Sequence, residues 1–148
     1  MKLKMDMKLY FVRCCTLGLI LMSPLTQAQL PEIQTDSNLS CMMGGIGLDE
    51  SKAMREEAKK WPLVIEFTEQ QGKSYAWISG AELQIINAKG ETIFFDKCNG
   101  PMFFAKIIPG KYELIATYQN QVKKRVVSIN GKQSKVSFIW GGKSGVPG

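Results

Sequence analysis

The 148-residue chain contains no histidine. That absence excludes Ser-His-Asp and Cys-His nucleophile pairs and the usual histidine-bearing zinc sets. Long apolar runs are also lacking. Cys14–Met22 spans about nine residues, where a bilayer takes about 20. Charge of one sign is scarce as well. Against 19 Lys and Arg stand 13 Asp and Glu, a formal net charge of +6. Lys2, Lys4, Lys8 and Arg13, with Asp6, hold half of that surplus at the N-terminus. The remaining fifteen bases and twelve acids give no basis for nucleic-acid binding.

The early bases precede the apolar stretch, Ser23-Pro24 breaks it, and Thr26-Gln27-Ala28 supplies small residues at the positions a signal peptidase reads. This is the layout of a secretory signal over residues 1–28, with cleavage after Ala28. It predicts a periplasmic or secreted protein with no membrane span after cleavage. The alternative, a membrane anchor, is opposed by the shortness of the run. Cys14 and Cys15 do not end that run, as a lipid-anchored cysteine would. The remainder, about 120 residues from Gln29, is the size of one domain. It keeps two of the four cysteines, Cys41 and Cys98. In an oxidising compartment such a pair is expected to form a disulfide, which would pin the N-terminal segment to the rest. Two buried free thiols or a reactive pair are the alternatives.

Turn signals recur about every ten residues through the second half: Gln71-Gly72, Asn87–Gly90, Asn99-Gly100, Pro109-Gly110, Asn120 and Asn130-Gly131. Between them lie short runs rich in Ile, Val, Phe, Tyr and Thr. Seven strands over residues 62–140, folded as an all-β sandwich of two sheets, is the economical arrangement. Tyr112, Leu114, Ala116, Tyr118 and Val136, Phe138, Trp140 alternate, which predicts one buried and one wet sheet face. Residues 29–47 read as an extended lead-in and a flexible glycine loop. Residues 48–61 read as one short α-helix, capped by Gly47 or Asp49, with Lys52–Glu56 and Glu56–Lys60 pairs and a stop at Pro62. Met54, Ala58 and Trp61 make its apolar stripe, and so short a helix needs apolar cover. Residues 141–148 read as a flexible tail.

Ala81–Ile86 leading to Asn87–Gly90, followed by Gly100–Leu114 with Ile108-Pro109-Gly110-Lys111-Tyr112, resembles the carboxypeptidase regulatory-like domains. The resemblance covers residues 62–140 and implies a transthyretin-like, Ig-like seven-stranded sandwich. Gly44–Glu50 and the following helix are similar to small exported proteobacterial proteins carrying that domain. The name of the family does not imply peptidase activity. The hydroxyisourate hydrolases, an enzymatic branch of the same fold, use histidines and a tyrosine-rich C-terminus, whereas this chain ends Lys143-Ser144-Gly145-Val146-Pro147-Gly148.

Other candidate chemistry has a plainer reading beside it. The Gly44–Gly47 loop could offer N–H groups to an anion, but Asp49 and Glu50 follow it. Cys41-Met42-Met43 supplies sulfur ligands for copper(I), yet three consecutive side chains cannot easily converge on one ion. Asp49-Glu50 and Glu56-Glu57 read as a solvated helix face rather than acid/base pairs. Lys123-Lys124-Arg125 alternates across a strand and reads as a solubilising face. No metal or cofactor is implied. Trp61, Tyr75 and Trp77 are large amphipathic rings and form the candidate binding residues, with packing as the commoner fate of such rings. The expected function is therefore a non-enzymatic binding or envelope-assembly module whose partner is a protein or cell-envelope component. The alternatives are a carbohydrate- or peptidoglycan-binding domain and an enzyme working through carboxylates or a labile Cys41–Cys98 pair.

Overall fold

The computed structural model describes residues 28–36 and 38–141. The expected signal, residues 1–28, lies outside the described residues except for Ala28. The expected tail, residues 141–148, does so except for Gly141.

Ten strands and one helix follow in chain order: β1 Gln34–Asp36, β2 Leu39–Gly44, α1 Leu48–Ala58, β3 Leu63–Gln71, β4 Ser74–Trp77, β5 Glu82–Ile86, β6 Thr92–Lys97, β7 Met102–Ile107, β8 Gly110–Tyr118, β9 Gln121–Ile129 and β10 Ser134–Gly141. They form two sheets packed as a sandwich. The first has the order β1-β2-β7-β3-β10, with β4 paired to the far half of β3. The second has the order β6-β5-β8-β9. Every ladder is antiparallel except β3–β10. Leu63, Ile65, Phe67, Phe103, Phe138 and Trp140 of the first sheet meet Leu83, Ile85, Tyr112, Leu114 and Ala116 of the second in the main core. Tyr112 points inward, and its hydroxyl donates to the Ile108 carbonyl at 2.7 Å.

The expectation of seven strands is corrected to ten. The difference lies chiefly upstream of Trp61. The lead-in supplies β1, and most of the supposed glycine loop is β2. Cys41 and Met43 face the main core while Met42 faces outward beneath the helix. A strand buried on both faces shows no alternation to betray it. Gly44 ends β2 against Gly100. A Cβ on Gly100 would run into the Gly44 backbone, so this contact of main chain on main chain requires glycine.

β2 and β3 run parallel on either side of β7, so the chain must cross over, and α1 is the crossover. Its stripe docks as expected. Met54, Trp61 and the half-buried Ala58 pack on Met42, Val64, Met102 and Phe104 of the outer face of the first sheet. Gly47, at φ 83°, is the N-cap and no side chain caps the helix. Glu50 instead turns its carboxylate back to accept from the Gly45 N–H at 2.6 Å and the Ile46 N–H at 3.3 Å. The helix stops at Ala58, three residues before Trp61. Gln133 donates to the Ala58 and Trp61 carbonyls at 2.6 and 2.9 Å, adding to the Trp61 N–H that donates to the Ala58 carbonyl at 3.1 Å, and so ties the helix end to the segment before β10. The ion pairs on α1 are Glu56–Lys59 and Glu57–Lys60, both 2.6 Å and three residues apart rather than the expected four.

Candidate functional site

The three aromatic candidates have different fates. Trp61 is 2% exposed, with its ring 6.1 Å from Phe104 and the Lys106 ammonium 4.9 Å above it. It belongs to the helix-to-sheet contact and offers no binding surface, which corrects its place among the candidates. Tyr75 and Trp77 are 61% and 40% exposed. They stand two residues apart on β4 and therefore share one face. Tyr75 is in register with Gln70, and Trp77 with Thr68. On the other side of β3, Thr68 is in register with Ile139, also 40% exposed. Trp77, Thr68 and Ile139 thus form one row across three strands, and Tyr75, Gln70 and Gly141 the next. This is the part of the first sheet's outer face that α1 leaves uncovered.

Arg55 completes the group. It projects from α1 and lays its guanidinium carbon 4.6 Å from the centre of the Trp77 ring. Nothing in the spacing of the helix singled out Arg55, because it lies off the apolar stripe and its partner is 22 positions away. Ile139 did leave a signal. It is an apolar residue at the polar phase of the Val136-Phe138-Trp140 alternation.

Cys41 and Cys98 are not joined. Both are buried free thiols in the main core, which corrects the expected disulfide. Burial, aided by Asp96, pushes the Cys41 thiol up to about 11 and that of Cys98 to about 12. Such thiols stay protonated at neutral pH, and the thiolate is the nucleophilic form. β2 fixes its consecutive sulfur residues on opposite faces, so Cys41, Met42 and Met43 cannot share an ion. No three His, Cys, Asp or Glu side chains among the described residues are grouped to hold a metal.

The remaining candidates fall into structural roles. The glycine loop already has its anion, the Glu50 carboxylate. Glu56 and Glu57 are held below the usual carboxylate range, chiefly by hydrogen bonds from Lys59 and Lys60, the opposite of what a general acid needs at neutral pH. Lys124 lies 3.7 Å from Glu113 across the ladder. Lys123 and Arg125 are in register with the buried Ala116 and Leu114, so they alternate with Lys124 as expected and place charge on the core side of an edge strand. Open clefts lie elsewhere on the sandwich. One, of about 770 Å³, runs between Pro31, Gly44 and Asn99, and another, of about 280 Å³, lies between the Asn87–Glu91 turn and Pro109. Two more, of about 370 and 400 Å³, flank β1, the first beside Ile93 and Phe95 and the second beside Lys106 and Ile108. None of the four is lined by Tyr75, Trp77 or Arg55.

No protein-family model matches the chain, and no curated protein matches it in sequence.

Proposed function

We propose that the chain is a non-enzymatic, exported binding module of the cell envelope, and that it engages its partner through the Tyr75–Trp77 face. The exposure of both rings side by side on a sheet face carries this reading, because large aromatics left uncovered in a row mark contact surfaces. The basic, apolar and small-residue N-terminus supports export. The order of Ala81–Gly90 and Ile108–Tyr112 supports kinship with the carboxypeptidase regulatory-like domains. The lack of histidine and the raised thiols support a binding role over a catalytic one. A second reading, recognition of peptidoglycan or another carbohydrate, is favoured by the openness of the surface, since Tyr75 and Trp77 line none of the four clefts.

Co-sedimentation of the purified chain with isolated envelope and with washed peptidoglycan tests both readings. The wild type should pellet with one of them, and the Tyr75→Ala/Trp77→Ala variant should remain in the supernatant. A wild type that pellets with neither refutes the function. A double variant that pellets as well as wild type moves the site elsewhere.

A further inference from the structure

The carbohydrate reading can be taken one step further, to the chemistry of the ligand. We propose that the Arg55–Trp77–Tyr75 face recognises a carboxylate-bearing sugar ring, with the ring on the aromatic side chains and its carboxylate on Arg55.

Arg55 carries the argument. Its guanidinium carbon sits over the Trp77 ring at 4.6 Å, and its side chain makes no hydrogen bond or ion pair among the described residues. Glu66, the acid on the same outer face of β3, is committed to Lys135 at 3.0 Å. Glu56 and Glu57 on the same helix are committed to Lys59 and Lys60. The in-plane N–H donors of Arg55 therefore face solvent with no acid to meet. A guanidinium held over an indole by cation–π attraction keeps its N–H donors for a carboxylate, which it can meet through two parallel hydrogen bonds. Holding that guanidinium in place before binding lowers the ordering cost when the ligand arrives.

The surroundings specify the rest of the ligand. Tyr75 and Trp77 are about 6.6 Å apart along β4, two residues of strand rise. Between and beside them on the same face are Thr68, with its hydroxyl, and Gln70, whose amide nitrogen donates to the Gly72 carbonyl at 3.2 Å and leaves the amide oxygen to accept. A pyranose has an apolar C–H face for such rings and equatorial hydroxyls for such polar groups. A peptide is a poorer fit. Peptide capture by strand addition would use the unpaired edge of β4, whose N–H and C=O groups lie in the sheet plane and not on the face that carries Arg55. Lys52, one helical turn before Arg55, and Lys73, in the turn before Tyr75, make no ion pair among the described residues. They add positive potential that draws in an anionic polymer.

The test reads tryptophan emission. Trp61 and Trp140 are 2% exposed, so a ligand on this face perturbs Trp77. The wild type is titrated with a galacturonic acid tetramer and with its methyl-esterified form, at low and at high salt. The acid should bind about tenfold or more tightly than the ester, as expected for a charged bidentate pair, and more weakly at high salt. Arg55→Gln should cut that preference to the small remainder that Lys52 and Lys73 supply, which high salt removes, while leaving weak binding of both. Arg55→Lys, which keeps the charge and loses the fork, should retain only part of it. Equal affinity for acid and ester, or an Arg55→Gln protein that discriminates as strongly as wild type at high salt, overturns the carboxylate assignment and leaves the aromatic surface standing. No response to either tetramer, from a protein that pellets with envelope, overturns the sugar and keeps the binding module. Tighter binding by an N-acetylated peptide with a free C-terminal carboxylate assigns the face to peptides and overturns the proposal.

Discussion

The two sheets differ in what lies on their outer faces. On the first sheet, Met42, Val64, Met102 and Phe104 are buried under α1, with Met54 and Trp61 above them. On the second, Phe95, Val122 and Val126 are exposed, Glu113 faces Lys124, and the only described helix lies on the other sheet. One consequence is written in the strands themselves. Roofed strands are unbroken apolar runs, as in Leu63-Val64-Ile65 and Met102–Ala105, all buried. Bare strands alternate, as in β8, where Tyr112, Leu114 and Ala116 are buried and Lys111, Glu113 and Ile115 less so. The second consequence concerns function. α1 does not reach the far end of the first sheet, and Tyr75, Trp77 and Ile139 stand where the roof stops. The candidate site is a boundary between a covered and an uncovered surface, with Arg55 reaching across it from the helix.

The largest effect is expected from removing the roof's main contact. Trp61→Ala should lower stability by about 3–5 kcal/mol, the usual cost of deleting a buried tryptophan. Urea denaturation should show it as a lower midpoint. An unchanged midpoint would mean that α1 is not part of the cooperative unit and that the two faces are equivalent.

A smaller effect should come from the core side, at alkaline pH. Both thiols titrate higher folded than the ordinary value of 9.0, at about 11 and about 12. The unfolded chain therefore loses these protons first. Stability from these groups is intact below about pH 9 and falls as pH rises toward 11 and 12, by about 1 kcal/mol per thiol at pH 10. The Cys41→Ala/Cys98→Ala variant should be less stable at neutral pH and lose this part of the alkaline decline. Denaturation midpoints from pH 7 to 10.5 measure it. A wild type with the same slope as the variant would mean that neither thiol is held above its ordinary value by burial.

Much of the sandwich was legible because turns and alternation are local signals. The hairpins of β5–β6 and β8–β9 and the inward Tyr112 follow from Asn87–Gly90, Asn120 and Pro109-Gly110. The docking stripe of α1 was legible from helical periodicity. β2 was hidden because its burial on two faces erased the alternation and its Gly44 looked like loop. The pairing of β3 with β10, 71 residues apart at Leu63 and Ser134, had no local signature. Of the site, Tyr75 and Trp77 were visible as residue types, and their exposure was not. Trp61 looked the same in sequence and is buried, because just past the helix end it packs with Met54 on Met42, Val64, Met102 and Phe104, residues distant in the chain. Arg55 was invisible, since its role depends on where a crossover helix lies over a strand formed later in the chain.

Glu50 tests the start of the roof. Its carboxylate accepts from Gly45 and Ile46 and is part-buried. Glu50→Ala should lose about 1–2 kcal/mol and speed amide hydrogen exchange at Gly45 and Ile46. Unchanged exchange at both amides would show that the loop is held by its backbone contacts alone, with Gly100 against Gly44 as the main one.

The smallest effect is expected on the bare face. Phe95 is 60% exposed, opposite Gln84 near the end of an edge strand. Phe95→Thr removes little buried surface and keeps a residue that favours strands, so stability should change by about 0.5 kcal/mol or less. Phe104 is the matching probe on the roofed face. It is fully buried, and Phe104→Thr should cost about 3 kcal/mol or more. The two substitutions are chemically identical, so the difference between them measures the roof directly. A loss of 2 kcal/mol or more from Phe95→Thr would erase that contrast. It would mean that the second sheet is also covered in solution, because a phenyl ring gains that much only when it is taken out of water. The Tyr75–Trp77 boundary would then be the one outer sheet surface left open.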